Sequence, residues 1–99
     1  MQPPVLVRRV VGASMEPVLR QGSIIIAVRT SRLKPGQVAI FIHGGLEKVK
    51  RIERIRGQRL FMLGDNTKDS TDSRDFGWVD GATVAYRVVW PIMSPRKLL

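Results

Sequence analysis

The amino-acid sequence predicts a mostly β protein: a single small rolled or barrel-like sheet of six or seven short strands, with one long polar loop. Three observations predict it. Short β-branched and aliphatic runs recur along the chain, each bounded by Gly or Pro. Between residues 64 and 80 these runs stop, and Gly, Asp, Asn, Ser and Thr take over for longer than a mere connection needs. The whole chain has 99 residues, which makes one domain over residues 1–99, because two would each be too small to stabilise a core.

The elements follow in order. Val5 to Val11 is β-branched and lies between Pro3-Pro4 and Gly12, so it reads as a strand. Ser14-Met15-Glu16-Pro17 is a turn, and Pro17 can start a short helical turn through Leu19. Gly22 opens a second strand, Ser23 to Arg29. Lys34-Pro35-Gly36 has the chemistry of a tight turn, and a third strand, Gln37 to Ile42, comes after it. His43-Gly44-Gly45 reads as a hairpin loop that leaves His43 in solvent. Leu46 to Arg56 is ambiguous: Leu46, Val49, Ile52 and Ile55 recur at helical spacing, yet glycines on both sides suit a strand between hairpins. A strand is the choice, since its neighbours are strands and no helix cap precedes it. Arg59 to Leu63 returns, and Thr83 to Trp90 is the last strand, ended by Pro91. Residues 1–4 and 94–99 are expected to be loose termini.

Composition removes several function classes. There is no Cys, hence no disulfide, thiol catalysis or thiolate metal site. A single His, His43, excludes a proton relay between two histidines. The acidic loop lacks the alternate spacing and central Gly of an EF-hand, so no metal and no cofactor are expected. The apolar run Ile24–Val28 is far short of the about 20 residues a membrane span needs. No signal peptide is legible, since Arg8 and Arg9 interrupt the apolar N-terminal stretch, and the default location is the cytoplasm. The net charge is +9, with the basic surplus in residues 1–64 and an acidic excess in 65–80. Such a chain meets anionic surfaces by charge alone. Six per cent aromatic residues and no recognition helix, however, make specific nucleic-acid binding a poor fit.

What remains for chemistry is serine with lysine. Ser14 lies between Gly12-Ala13 and Met15-Glu16-Pro17, where a sharp turn can expose its hydroxyl. Lys50 lies between Val49 and Ile52 in a β segment. A serine hydroxyl needs a base, and lysine is one only when neutral, which takes a pKa lowered by roughly 3 units through burial.

The segments Ser14-Met15-Glu16-Pro17, Lys50-Arg51-Ile52, Gly64-Asp65-Asn66 through Ser70-Thr71-Asp72-Ser73-Arg74, and Phe76-Gly77 occur in the order of the boxes of type I signal peptidases. The chain therefore resembles the S26 serine peptidase family, whose domain is of the LexA/signal peptidase type. The resemblance implies Ser14 as nucleophile and Lys50 as general base, and the Ser14 N–H as part of the oxyanion hole. Met15 would pack beneath the turn and Pro17 would fix it. Ser70 matches the hydroxyl that orients the lysine, and Asp72 and Arg74 match a structural ion pair. Asp65 and Asn66 open the loop and shape it. Gly12 stands where some members carry an oxyanion-hole Ser, and Val18 replaces the usual Ser or Thr, a packing change.

The family's membrane anchor and large second β domain are absent from this sequence. A small soluble branch, the maturation proteases of nickel-containing superoxide dismutase, is similar in length. The segments Thr71–Gly77 and Val84–Pro91 resemble its pattern. That resemblance implies a protein substrate, the superoxide dismutase precursor, from which an N-terminal propeptide is removed. The alternatives are the soluble catalytic part of a type I signal peptidase and, outside the enzymes, a basic nucleic-acid or membrane-surface module. A LexA-like self-cleaving domain also uses Ser and Lys but needs a scissile bond upstream of the nucleophile, and thirteen residues precede Ser14.

Overall fold

The computed structural model describes residues 2–91. Seven strands form one antiparallel sheet: β1 (Val5–Arg9), β2 (Ile24–Arg29), β3 (Val38–His43), β4 (Leu46–Arg56), β5 (Arg59–Leu63), β6 (Val79–Asp80) and β7 (Val84–Trp90). They run in the order β1-β2-β7-β3-β4-β5-β6. The fold is thus mostly β with little helix, as the strand pattern predicts. The sheet curls: Arg8 on β1 reaches Glu47 on β4 at 2.8 Å, although three strands lie between β1 and β4 in the sheet. Register shifts at Ile26/Ala27, Ile40/Phe41 and Ile52/Arg54 supply the local bends a small roll needs.

Two apolar clusters fill the two faces of the curled sheet. One gathers Val10, Met15, Leu19, Ile25, Ile40 and Tyr86 among others. The other gathers Phe41, Ile52, Leu60, Met62 and Val79, with Phe76 against it. The period of three in β4 now has an explanation. Odd spacing puts Val49 against the first cluster and Ile52 against the second. The shift between Ile52 and Arg54 then returns Ile55 to the second cluster's side. A strand buried on both faces imitates a helical stripe.

Three expectations are corrected. Residues 2–4, expected to be loose, are tied to the sheet: the Gln2, Pro3 and Pro4 carbonyls accept from Arg29 Nη1 (3.1 Å), the Tyr86 hydroxyl (2.6 Å) and the Arg29 N–H (3.0 Å). His43 is not a solvent-exposed loop residue. It ends β3 opposite Leu46, and its ring stacks on Phe76 at 4.0 Å between centroids. The two-residue turn is Gly44-Gly45, whose φ values of 60° and 77° suit the tight hairpin that only glycine forms cheaply. Finally, the polar loop is partly regular, holding a four-residue helix, α1 (Ser73–Phe76), and the short strand β6. The expected loose segment 94–99 lies outside the described residues.

Candidate active site

Ser14 sits on a turn held from three sides. From below, Met15 and Leu19 are 0% and 1% exposed, and the Leu19 N–H donates to the Met15 carbonyl at 2.9 Å. Burying two such side chains contributes roughly 1.5–3 kcal/mol each, which pins the turn to the first cluster. Within the turn, the Glu16 N–H donates to the Ala13 carbonyl at 3.1 Å. From the side, Asn66 clamps it: its N–H donates to the Ser14 carbonyl at 2.9 Å and its Nδ2 to the Ala13 carbonyl at 3.0 Å. The loop and the turn come so close that Gly64 must be glycine. A Cβ there would lie 2.6 Å from the Ser14 carbonyl oxygen and collide with the Ser70 hydroxyl.

Lys50 reaches the same place from β4 and is 5% exposed. Its Nζ donates to Ser70 Oγ at 3.3 Å, and Ser70 Oγ donates in turn to Asp72 Oδ2 at 2.8 Å. Burial pushes the Lys50 ammonium below its ordinary value, aided by the charges of Lys48 and Arg74 and opposed by Asp72. Asp72, fully buried, is the hub of the loop. It accepts from the Gly64 N–H at 2.9 Å and from Arg74 Nε and Nη2 at 3.0 and 2.8 Å, and it caps α1 by accepting from the Arg74 N–H. Burial alone would raise its pKa; the Arg74, Gly64 and Ser70 hydrogen bonds outweigh that and hold the carboxyl far below the usual range.

Arg51 leaves β4 on the face opposite Lys50. There it forms a buried bidentate pair with Asp65 at 2.8 Å and donates to the Gly36 carbonyl at 2.6 Å. The loop is therefore fastened on both faces of β4, by Asp65 on one and by Asp72 through Ser70 on the other. The ring of Phe76 in α1 is covered by His43 and by Lys48 Nζ, 5.0 Å from its centroid.

Ser14 and Lys50 line one cleft of about 360 Å³, together with Val10, Ile25, Ile40 and Val49. Among the described residues the Ser14 hydroxyl makes no hydrogen bond. The structure thus brings Ser14, Met15, Lys50, Ser70, Asp65, Asn66, Asp72 and Arg74 into one assembly. Gly12 stands at its margin with φ at 84°, a conformation in which a serine side chain would be strained. Val18 is 42% exposed, so its replacement of the usual hydroxyl is not a packing change. Gly64 and Ser73, whose hydroxyl accepts from the Met62 N–H at 2.8 Å, were not singled out by residue type. Their signal was membership in the Gly64–Arg74 segment. Among the described residues no group of three or more His, Asp or Glu is arranged to hold a metal ion, and no helix is long and apolar enough to cross a membrane.

A family model described as Peptidase S24-like matches residues 2–76. No curated protein matches the chain.

Proposed function

The chain belongs to the Peptidase S24-like family, and from that premise we propose that it is a serine endopeptidase working with a Ser14/Lys50 dyad. One observation carries the reading: a lysine 5% exposed, its Nζ held by a hydroxyl and not a carboxylate, in the cleft that Ser14 lines. Burial disfavours a lysine's charge, a cost to a structural residue but a gain to a general base.

In this reading substrate lies extended along the cleft. Ser14 Oγ attacks the scissile carbonyl while its proton passes to neutral Lys50 Nζ, and the oxyanion that forms faces the Ser14 N–H. Lys50 then returns the proton to the leaving amine, leaving an acyl-enzyme. Water hydrolyses the ester with Lys50 again as base. Ser70 would orient Nζ through their hydrogen bond, and the Asn66 clamp would hold the Ser14 turn in place.

The Gly64–Arg74 segment supports the signal-peptidase-like (S26) side of this group of enzymes. Segments 71–77 and 84–91 support removal of the N-terminal propeptide of nickel-containing superoxide dismutase. The test mixes that precursor at about pH 8 with wild type and Ser14→Ala and reads intact mass. Loss of the propeptide at one bond with wild type only is expected. A folded wild type that leaves the precursor intact but cuts a signal-peptide substrate overturns the substrate and keeps the dyad, in favour of the soluble part of a signal peptidase. A protein that cuts neither, and whose binding to nucleic acid or anionic vesicles falls steeply with salt, is the basic module instead. Incubation alone reads self-cleavage; an unchanged mass is expected, because β1, just upstream of Ser14, is committed to five pairs with β2.

A further inference from the structure

The cleft lies where two strand edges face each other unpaired. β1 ends the sheet, so its side away from β2 has no neighbour among the described strands. β4 pairs with β5 only from Arg51 onward, which leaves Leu46–Lys50 with β3 on one side alone. Between these edges the floor is apolar, from Val10, Ile25, Ile40 and Val49, and of the charged residues lining it Arg8, Arg9, Lys48 and Lys50 are basic and Glu47 acidic. An extended peptide adds naturally to free edges of this kind, its alternate side chains meeting the floor.

One ion pair crosses the slot. Arg8 Nε and Nη2 donate to the two carboxylate oxygens of Glu47 at 2.8 and 3.0 Å. The Arg8 hydrogen bond holds the Glu47 carboxyl below its ordinary value. Both side chains are about 40% exposed, at 41% and 40%. A pair this exposed is weak and can be parted, yet its fork geometry fits a carboxylate specifically. Resting on the peptidase reading, we propose that Arg8 and Glu47 form a latch across the substrate slot that selects a peptide carrying a carboxylate side chain about three residues from the scissile bond. That carboxylate replaces Glu47 on Arg8. The distance follows from the strand: Glu47 precedes Lys50 by three residues, roughly 10 Å along an extended chain, and a peptide paired with β4 keeps step with it. Arg9 and Lys48 at the rim favour the same sign of charge.

The test uses peptides built on a bond that wild type cleaves, with Asp, Ala or Lys at the third residue before or after that bond. Wild type should prefer Asp over Lys on one of the two sides, through KM. Arg8→Gln should abolish or reverse that preference. Glu47→Gln should lower KM for the Ala peptide by roughly 2–5-fold, the worth of an exposed pair. Melting curves check that each variant is folded. A wild type indifferent to charge at both positions, or an Arg8→Gln variant that keeps the Asp preference, overturns the latch and leaves the peptidase reading standing. A wild type that cleaves no bond overturns both.

Discussion

Lys50 has a hydroxyl, Ser70, as its hydrogen-bond partner, and the carboxylate of Asp72 stands one bond further out. The order matters. A carboxylate touching the ammonium would favour its charged, non-basic form. Here the Asp72 charge is instead spent largely on Arg74 and the Gly64 N–H, and burial, the larger influence, lowers the lysine's pKa against it. The same burial is a stability cost with a definite sign. Because the folded pKa is lowered from 10.5, the unfolded chain binds more protons, and the penalty is full below the folded pKa and fades as pH rises toward 10.5. Lys50→Met should therefore melt higher than wild type at pH 7 while losing cleavage; a variant that melts lower, or still cleaves, contradicts the role given to this residue. Ser70→Ala should lower kcat by about 10–100-fold with little change in KM, since in the proposed dyad it orients the proton acceptor and does not bind peptide. Steady-state kinetics at saturating substrate would read the split.

The element that matters most is the segment from Gly64 to Phe76, which carries no apolar period and takes its shape from buried polar bonds. Its acid response follows from Asp72. The folded pKa lies below the ordinary 3.8, so this carboxylate's stabilisation is full above 3.8 and is lost progressively as pH falls from there through the lower folded pKa. Asp72→Asn should be less stable than wild type at pH 7 by about 2–3 kcal/mol and lack the steep loss below pH ~4; equal acid limbs in urea titrations of the two proteins would refute this. Gly64→Ala should cost about 1–3 kcal/mol, because backbone and side chain must both shift to admit a methyl group. Its loss of activity should exceed that of an equally destabilised variant far from the cleft. The strands flanking this segment were legible because β-branched runs between Gly and Pro report local preference directly. Helix α1 was not, being four residues with one Phe inside a polar tract. The order Ser14, Lys50, Ser70 was legible from the boxes that carry the resemblance. The Arg51–Asp65 pair and the Asn66 clamp were not, because they join residues 14 and 53 positions apart and no local pattern encodes such contacts.

Across the whole molecule, curling places a turn before β2, the middle of β4 and the loop after β5 around one cleft. The two apolar clusters on opposite faces of the sheet make that arrangement rigid, and the unpaired edges of β1 and β4 leave it open to an extended chain. The fold therefore fixes Lys50 and Ser14 on one cleft, with the exposed Arg8–Glu47 pair as the contact that crosses it. The account stands on Lys50 being the base at this junction. The measurement that tests it most directly is an NMR titration of the Lys50 side-chain 13Cε signal, run beside kcat/KM for precursor cleavage in the same buffers. The account predicts that Lys50 titrates below 10.5 and that the rising limb of the rate coincides with it. A Lys50 that titrates at the ordinary lysine value while the rate rises units lower in pH would contradict it.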